Sequence, residues 1–355
     1  MKNKFIKYLE EIVDYKNSSF LLAVSGGVDS MVLLKLFQEY SLNFSVAHCN
    51  FLLRGNDSDE DEIFVKEVCE RFNHKFYLKK FETKKIASEN SFSIQMAARK
   101  LRYNWFKNLL NKHKFDYLVT AHHFNDTVET ILLNIARGTG VSGLKGIPTK
   151  ENKTIRPLLK FTKIEISDFA KKNRIKFRND NSNNDVKYRR NRVRKFIIPE
   201  FENLNPGFFE SIKTTINNFQ SAENIYSNFI NNEKIRCCNH NDDTLIINIK
   251  ALMISIEPKT LLFEIINDYG FKDIDSVYNV IDSQPGKSFY SKNYVLIRDR
   301  DSICISKLFS KQSINITDSC TFINHPVKMT LQLTHKFNLK DEKIKSSAIL
   351  SYNKL

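Results

Sequence analysis

The chain contains few cysteines, and their spacing excludes the common cysteine-based sites. It has six cysteines in 355 residues, and no two of them form a Cys-x-x-Cys pair. A chain of this length is also not a small secreted scaffold that disulfides hold together. We therefore expect free thiols in a reducing, cytoplasmic environment.

Long apolar runs are also missing from the sequence. No run approaches the roughly 20 residues that an α-helix needs to span a bilayer. Acidic residues follow close to the first residue, at Glu10, Glu11 and Asp14, so the N-terminal segment lacks the apolar core of a signal peptide. Without repeats or low-complexity tracts, the chain is expected to fold into two or three globular domains.

The charge of the chain is strongly biased toward lysine and arginine. There are 55 Lys and Arg residues against 40 Asp and Glu residues, which gives a formal net charge of +15. This charge favours a polyanionic partner, with RNA or DNA as the first to consider. The alternative is compositional drift, which would scatter the lysines instead of clustering them on one surface.

A glycine motif lies between two apolar stretches near the N-terminus. It reads Ser25-Gly26-Gly27-Val28-Asp29-Ser30, with apolar residues at 20–24 before it and at 31–37 after it. The pattern predicts a strand, a tight loop and a helix. Two adjacent glycines let a ligand approach the backbone closely, and the loop amides and the helix dipole favour phosphate. The motif therefore predicts a nucleotide site.

Asp29 does not fit a simple attraction between this loop and a phosphate. A carboxylate beside phosphates indicates a bridging Mg²⁺ ion or a proton to be moved. The alternative is a Gly-Gly turn in which serine and aspartate only cap the helix.

Two other glycine motifs do not fit the nucleotide sites that they imitate. Gly286-Lys287-Ser288 resembles the end of a Walker P-loop, but Ile281 occupies the position of its first glycine. Gly138, Gly140 and Gly143 spell a dinucleotide fingerprint, but the pattern before them is helical where a strand is required. We expect a flexible glycine loop there.

Strand-like runs alternate with helical patterns in the N-terminal part of the chain. The predicted strands lie at 20–24, 42–47, 76–78 and 115–121. This order predicts an α/β fold with a doubly wound, mostly parallel sheet. His48 and His122 follow two of the strands, and carboxyl ends of such strands face the ligand crevice. For His48 the alternative is a histidine that is simply hydrogen-bonded at a strand end.

Two carboxylates follow the fourth predicted strand. Asp126 and Glu129 are three residues apart and can face the same crevice from one side of a helix. Such a pair suits Mg²⁺ or an amine, and its spacing from His122 and His123 does not match the zinc motif His-Glu-x-x-His. The alternative is a capping box formed by Asp126 and Glu129 at the helix start.

The densest basic stretch of the chain lies between residues 178 and 195. It contains one aromatic residue, Tyr188, which can stack on a base while the arginines contact phosphates. The alternative is a solvated helix face. Beyond it, Phe208, Ile212 and Ile216 have helical spacing, and a small α+β segment follows.

The motif Ser-Gly-Gly-x-Asp-Ser resembles the PP-loop of ATP pyrophosphatases, which hold ATP by its pyrophosphate end and transfer AMP to an oxygen. A longer ordered series closely resembles the tRNA(Ile)-lysidine synthetase family. After the loop the series runs His48-x-Asn50, Leu53-Arg54, Ala97-Ala98-Arg99, Arg102-Tyr103, Ala121-His122-His123-x-x-Asp126-x-x-Glu129-Thr130, Arg137-Gly138-Thr139-Gly140, Arg156-Pro157-Leu158-Leu159, Asp180-x-Ser182-Asn183 and Arg190-Asn191-x-x-Arg194.

The resemblance implies a domain order. Residues 1–205 would form a PP-loop catalytic domain, and residues 206–309 would form a helical linker and a tRNA-binding domain. Residues 310–355 would form a short β-rich C-terminal region.

The resemblance implies an enzyme that uses ATP and Mg²⁺ to join L-lysine to carbon 2 of the wobble cytidine of tRNA(Ile) with a CAU anticodon. In that family ATP first adenylates the oxygen on carbon 2, which releases pyrophosphate. The lysine ε-amine then displaces AMP, and the tRNA reads AUA instead of AUG. A homodimer is among the arrangements that the sequence leaves open.

The resemblance also implies roles for individual residues. Loop residues 25–30 and His48 would bind ATP, with Asp29 holding Mg²⁺. Asp126 and Glu129 would bind the lysine amine. The expected catalytic residues are Asp29, Arg102, His122 and Arg192, with Arg190 and Arg194 as rivals to Arg192. The expected tRNA contacts are Tyr188, Arg189, Arg190, Arg194 and Lys195.

Three positions depart from the family pattern. Phe51 stands where many members have a second histidine, Asn125 replaces a common aspartate, and Thr127 replaces a common glutamine. These changes leave Asp126 and Glu129 intact.

Rival functions remain open. A tRNA thiolase would rely on paired or catalytic cysteines, and an amidotransferase-type synthetase would need a glutaminase domain. A third rival is a non-catalytic RNA-binding protein with a decayed ATP site.

Overall fold

A computed structural model describes residues 1–178, 189–308, 322–323 and 329–330. The chain divides into two compact units, Met1–Asn231 and Asn232–Leu355. In the described part of the chain, no helix is both long enough and apolar enough to cross a membrane.

The first unit is built on a six-stranded sheet. Its strands are β1 (Phe20–Ala23), β2 (Phe44–Asn50), β3 (Phe76–Lys80), β4 (Tyr117–Val119), β5 (Lys150–Glu151) and β6 (Thr154–Ile155), in the spatial order β3-β2-β1-β4-β6-β5. All neighbours are parallel except β5 and β6. The prediction of a doubly wound, mostly parallel sheet is therefore confirmed. Because β2 and β4 lie on opposite sides of β1, the strand order reverses there, which opens a crevice at the carboxyl ends.

Helices cover this sheet. They are α1 (Lys2–Ile12), α2 (Val28–Glu39), α3 (Asn56–Arg71), α4 (Thr83–Glu89), α5 (Ile94–His113), α6 (Phe124–Ile135) and α7 (Lys163–Lys172). The apolar run 31–37 belongs to α2, and six of its seven residues are buried. It packs in a cluster with Leu22, Val46 and Val119, which occupy one register position on three adjacent strands. Burial in this cluster explains why α2 is apolar almost all round.

A second cluster brings the next part of the chain onto α6. This part of the chain consists of α8 (Arg189–Arg192), a π-helical turn (Val193–Ile197), α9 (Ile198–Leu204) and α10 (Phe208–Cys237). Val128 and Ile131 of α6 pack in one cluster with Val193, Ile198 and Ile216. This packing places the end of the basic stretch beside the first turns of α6.

The second unit contains an antiparallel sheet. Its strands are β7 (Cys238–Asn241), β8 (Thr244–Asn248), β9 (Ser288–Tyr290), β10 (Tyr294–Arg298) and β11 (Ser302–Lys307), in the order β7-β8-β11-β10-β9. Helices α11 (Ile249–Met253), α12 (Pro258–Ile266) and α13 (Ile274–Asn279) lie between β8 and β9 in the chain. These elements form the small α+β segment that the sequence predicts.

Most of the expected C-terminal β-rich region, 310–355, lies outside the described residues. Within it, β12 (Phe322–Ile323) and β13 (Met329–Thr330) pair antiparallel. The division of the chain at residues 205 and 309 stays a prediction.

Candidate active site

The loop between β1 and α2 has the backbone conformation that its glycines predict. Gly26 has φ +93°, in the left-handed region that side chains disfavour. A Cβ atom on Gly26 would also lie 3.4 Å from the side chain of Val65 in α3. Gly27 directly precedes α2, whose first-turn N–H groups point away from the helix toward the crevice. The loop is thus shaped to receive an anion.

The two serines of the motif hold the loop together from within. The Ser30 hydroxyl donates to the Gly27 carbonyl at 2.9 Å, and the Ser25 N–H donates to Ser30 Oγ at 3.2 Å. Gly27 at the N-cap of α2 has no side chain, and Ser25 Oγ accepts the Gly27 N–H at 3.4 Å. Phosphate binding by this loop, as opposed to helix capping alone, stays a prediction.

His48 supports the loop from behind. Its ring is 3% exposed, and its Nδ1 lies 2.9 Å from the carbonyl oxygen of Val24. Burial lowers the pKa of His48 below its ordinary value, so the neutral ring donates its Nδ1–H to that carbonyl. This is the contact expected of a hydrogen-bonded histidine at a strand end. Direct binding of ATP by His48 stays a prediction.

A cavity of about 230 Å³ opens at the carboxyl ends of β1, β2 and β4. Asp29 and the loop line one part of it, and Arg102 of α5 lines another. His122 and Asp126 line it from the start of α6. The structure therefore brings together three of the four expected catalytic residues and one expected lysine ligand.

Asp29 is paired with a lysine that the sequence motifs did not single out. The Lys163 ammonium lies 2.6 Å from Asp29 Oδ1 and 2.8 Å from Oδ2. Lys163 is the first residue of α7, after a capping box formed by Thr162 and Glu165. The Thr-x-x-Glu pattern marks this helix start in the sequence, but it does not reveal which site the helix faces.

His123 lies between two carboxylates of the site. Its Nε2 is 3.7 Å from Asp29 Oδ2, and its Nδ1 is 3.6 Å from Asp126 Oδ2. The His123 backbone N–H donates to Asp126 Oδ2 at 3.0 Å. The predicted alternative placed a capping box on Asp126 and Glu129, whereas the capping contact joins His123 and Asp126.

Asp126 is ionised although it is buried. Burial raises the pKa of its carboxyl, but His123, His122 and Arg190 together with the hydrogen bond from the His123 N–H bring that pKa below its ordinary value. A negative charge at the cavity wall is suited to an amine.

Glu129 is fully buried, and two arginines occupy its carboxylate. Arg190 Nε donates to Oε2 at 2.8 Å. Arg194 donates to Oε1 at 2.6 Å from Nε and to Oε2 at 3.1 Å from Nη2. These contacts differ from the expectation that Glu129 binds a lysine amine. Through these hydrogen bonds Glu129 holds Arg190 and Arg194 against α6.

Burial changes the chemistry available to His122. Its Nδ1 lies 2.9 Å from Thr120 Oγ1. Burial lowers the pKa of His122 to about 4, with Arg156 and Arg102 acting in the same direction and Asp126 opposing them. The ring is therefore neutral at pH 7, and it can act on a phosphate through a hydrogen bond but not through a full charge.

The described cations at 189–195 separate into two groups, while Arg178 pairs with Glu60 and Asp61 of α3. Arg190 and Arg194 reach α6, whereas Arg189, Arg192 and Lys195 are exposed. Arg190, Arg192 and Arg194 are all absent from the described residues that line the cavity. Arg194 lies 3.7 Å from Asp126, and the choice of a catalytic arginine among the three stays a prediction. Tyr188 lies outside the described residues.

The residues of the site fit a magnesium ion that is bound together with phosphates. The described part of the chain has no group of three or more His, Cys, Asp or Glu side chains able to hold a metal by itself. Mg²⁺ commonly uses one or two carboxylates and completes its coordination with phosphate oxygens and water. Asp29, beside the anion-binding loop, supplies such a carboxylate.

The sheet order and the loop at its switch point place this chain in the class of PP-loop proteins. A PP-loop domain model matches residues 1–201, and a TilS substrate binding domain model matches residues 240–308. The chain belongs to the tRNA(Ile)-lysidine synthase family.

Named relatives agree with this assignment. A tRNA(Ile)-lysidine synthase of Porphyromonas gingivalis is 39% identical over 299 residues, which cover 83% of this chain and 64% of the relative. The Bacteroides thetaiotaomicron protein of the same name is 33% identical over 346 residues, which cover 97% and 79%. The chain thus spans less than two thirds of the length of the first of these relatives.

The U34-tRNA thiolase NcsA of Methanococcus maripaludis shares the fold. Its TM-score is 0.51 at 22% identity, with 62% of this chain and 77% of that chain covered.

Proposed function

We propose that this protein joins L-lysine to carbon 2 of the wobble cytidine in tRNA(Ile) with a CAU anticodon, using ATP. The observation that carries the proposal is the single crevice in which the anion-binding loop, Asp29 and the ionised Asp126 meet. Family membership supports the same reaction. In the proposed reaction the tRNA comes to read AUA instead of AUG.

In the first proposed step the oxygen on carbon 2 of the cytidine attacks the α-phosphorus of ATP. The bond to pyrophosphate breaks, and pyrophosphate leaves. The loop amides of residues 25–30 bind the phosphates, Arg102 supplies positive charge, and the neutral His122 donates a hydrogen bond. Asp29 would hold a Mg²⁺ ion, which would supply charge neutralisation at the phosphates.

In the second proposed step the lysine ε-amine attacks carbon 2, and the bond from that carbon to the oxygen of AMP breaks. Asp126 orients the amine from the cavity wall, because its carboxylate is ionised and lies at the cavity surface. Glu129 acts indirectly, since it fixes Arg190 and Arg194 beside Asp126. Arg189 and Lys195 are exposed and are proposed to contact tRNA phosphates.

The cysteine at the cavity does not favour the thiolase alternative. Cys49 lines the cavity, but burial raises the pKa of its thiol to about 12. It therefore remains a thiol at pH 7, whereas the thiolate is the reactive nucleophile.

Incubation with radiolabelled lysine, ATP and the CAU-anticodon tRNA(Ile) tests the proposal. We expect label in the tRNA together with release of AMP and pyrophosphate. Label and AMP must require all three substrates, whereas the first release of pyrophosphate must require ATP and the tRNA. A tRNA with another anticodon and the Asp29→Ala variant serve as controls that remain unlabelled. Unlabelled tRNA from the wild-type protein refutes the proposal. Binding of tRNA without ATP turnover, unaffected by Asp29→Ala, would indicate the non-catalytic alternative.

A further inference from the structure

The ammonium of Lys163 is fixed at the carboxylate of Asp29. It contacts both oxygens of that carboxylate, at 2.6 Å and 2.8 Å. The Lys163 backbone N–H also donates to Asn125 Oδ1 at 2.9 Å, which ties the start of α7 to α6. A backbone hydrogen bond and an ion pair therefore both fix the position of Lys163.

A divalent cation would bind through the same carboxylate. Asp29 is the acidic side chain beside the anion-binding loop, and Mg²⁺ requires oxygen ligands at about 2.0–2.1 Å. An ammonium at contact distance from the same oxygens repels a second cation strongly, since like charges a few ångströms apart interact by several kcal/mol in a partly buried site. Because Lys163 already contacts both oxygens of Asp29, it competes with a metal for this carboxylate.

The charge balance around Asp29 explains when this competition ends. Lys163 neutralises Asp29, and the His123 ring lies between Asp29 and the next carboxylate, Asp126. A divalent cation alone would leave uncompensated positive charge beside Lys163. A triphosphate in the loop brings several negative charges, so both cations can then be accommodated.

We propose that Lys163 is a positioning residue that competes with divalent metal for Asp29, so that metal is admitted to this carboxylate only together with a polyphosphate. This inference rests on the proposed function, because it assigns the loop to a nucleotide. It predicts joint binding of the metal and the nucleotide.

Binding of Mn²⁺, followed by electron paramagnetic resonance, tests the proposal without nucleotide, lysine or tRNA. The wild-type protein should bind Mn²⁺ weakly at Asp29. Lys163→Ala should bind it at least about tenfold more tightly, which corresponds to about 1.4 kcal/mol. Mg²⁺ should displace the bound Mn²⁺. Addition of Asp29→Asn to Lys163→Ala should remove the gain, and Lys163→Arg should behave as the wild type.

Lys160→Ala is the matched control. Lys160 is also ion-paired, with Glu11 at 2.6 Å, and its side chain is 45% exposed against 41% for Lys163. It should leave Mn²⁺ binding unchanged. Fluorescence of Trp105, the single tryptophan, reports whether each variant is folded. If Lys163→Ala does not fold, Lys163→Gln retains a polar side chain without the charge and provides the same comparison.

Equal Mn²⁺ affinity for the wild type and a folded Lys163→Ala or Lys163→Gln variant would overturn the proposal. A gain that persists with Asp29→Asn would do the same, because the metal would then lie elsewhere. Neither result bears on lysine transfer, which is measured separately. Failure of this inference and failure of the proposed function are therefore distinguishable.

Discussion

The carboxylate of Glu129 lies fully buried against the guanidinium of Arg194, which donates two hydrogen bonds to it, at 2.6 Å and 3.1 Å. Arg190 adds a third at 2.8 Å and also donates to Thr130 Oγ1 and the Asp126 carbonyl. One buried charge thus anchors the end of the basic stretch at the active-site helix.

Glu129→Gln should lower the free energy of unfolding of the first unit and should impair the use of all the substrates together. The amide removes the charge that faces two arginines, and loss of one partner from a buried ion pair costs several kcal/mol. Because both arginines are about two-fifths exposed, we expect about 1–3 kcal/mol. Urea unfolding followed by Trp105 fluorescence measures it, with the exposed Glu67→Gln as control. If only the KM for lysine rises, Glu129 is a lysine ligand after all.

Asp126→Asn should weaken the use of lysine more than the binding of ATP. The asparagine oxygen can still accept the His123 N–H, so the helix start is retained while the negative charge is lost. We expect the KM for lysine to rise at least about tenfold, since an amine loses a charge-assisted hydrogen bond. Steady-state kinetics with each substrate varied in turn measure both effects. Equal losses for ATP and lysine would reduce Asp126 to a helix cap.

His122 should make the stability of the protein depend on pH below neutrality. Its pKa is about 4 in the folded protein against 6.5 ordinarily, so the unfolded chain binds more protons between these values. The contribution of the neutral His122 to the free energy of unfolding is complete above pH 6.5. It is lost as the pH falls toward 4, and the total loss is about 3 kcal/mol. Urea unfolding at pH 7 and pH 4.5 should show a smaller loss for His122→Asn than for the wild type. The same loss in both would contradict the neutral, buried assignment.

Exposed cations of the basic stretch should give tRNA binding a steep dependence on salt. Each phosphate contact changes the slope of log affinity against log salt by about 0.7–0.9, because counterions are released. Arg189→Ala and Lys195→Ala should each lower that slope by about 1. Arg71→Ala on the exposed face of α3 is a matched control. Unchanged slopes would place the tRNA elsewhere on the protein.

The sequence alone determined the loop and the sheet around it. Gly26 and Gly27 permit the backbone of the motif, and its first glycine indeed has positive φ. The apolar runs predicted the parallel strands because burial on both faces leaves a continuous hydrophobic pattern. The run at 31–37 was predicted to be a helix from its place after the loop, although its apolar positions also fit a strand, and its packing in the core shows the helix.

The tertiary structure decided which side chains meet and which charges they carry. Lys163 is 134 residues from Asp29, and Arg194 is 65 residues from Glu129, so no local spacing could pair them. The charge of His122 depends on burial, which no short motif encodes. Motifs follow from local backbone geometry and hydrophobic periodicity, whereas ion pairs and pKa values depend on distances that exist only once the chain has folded.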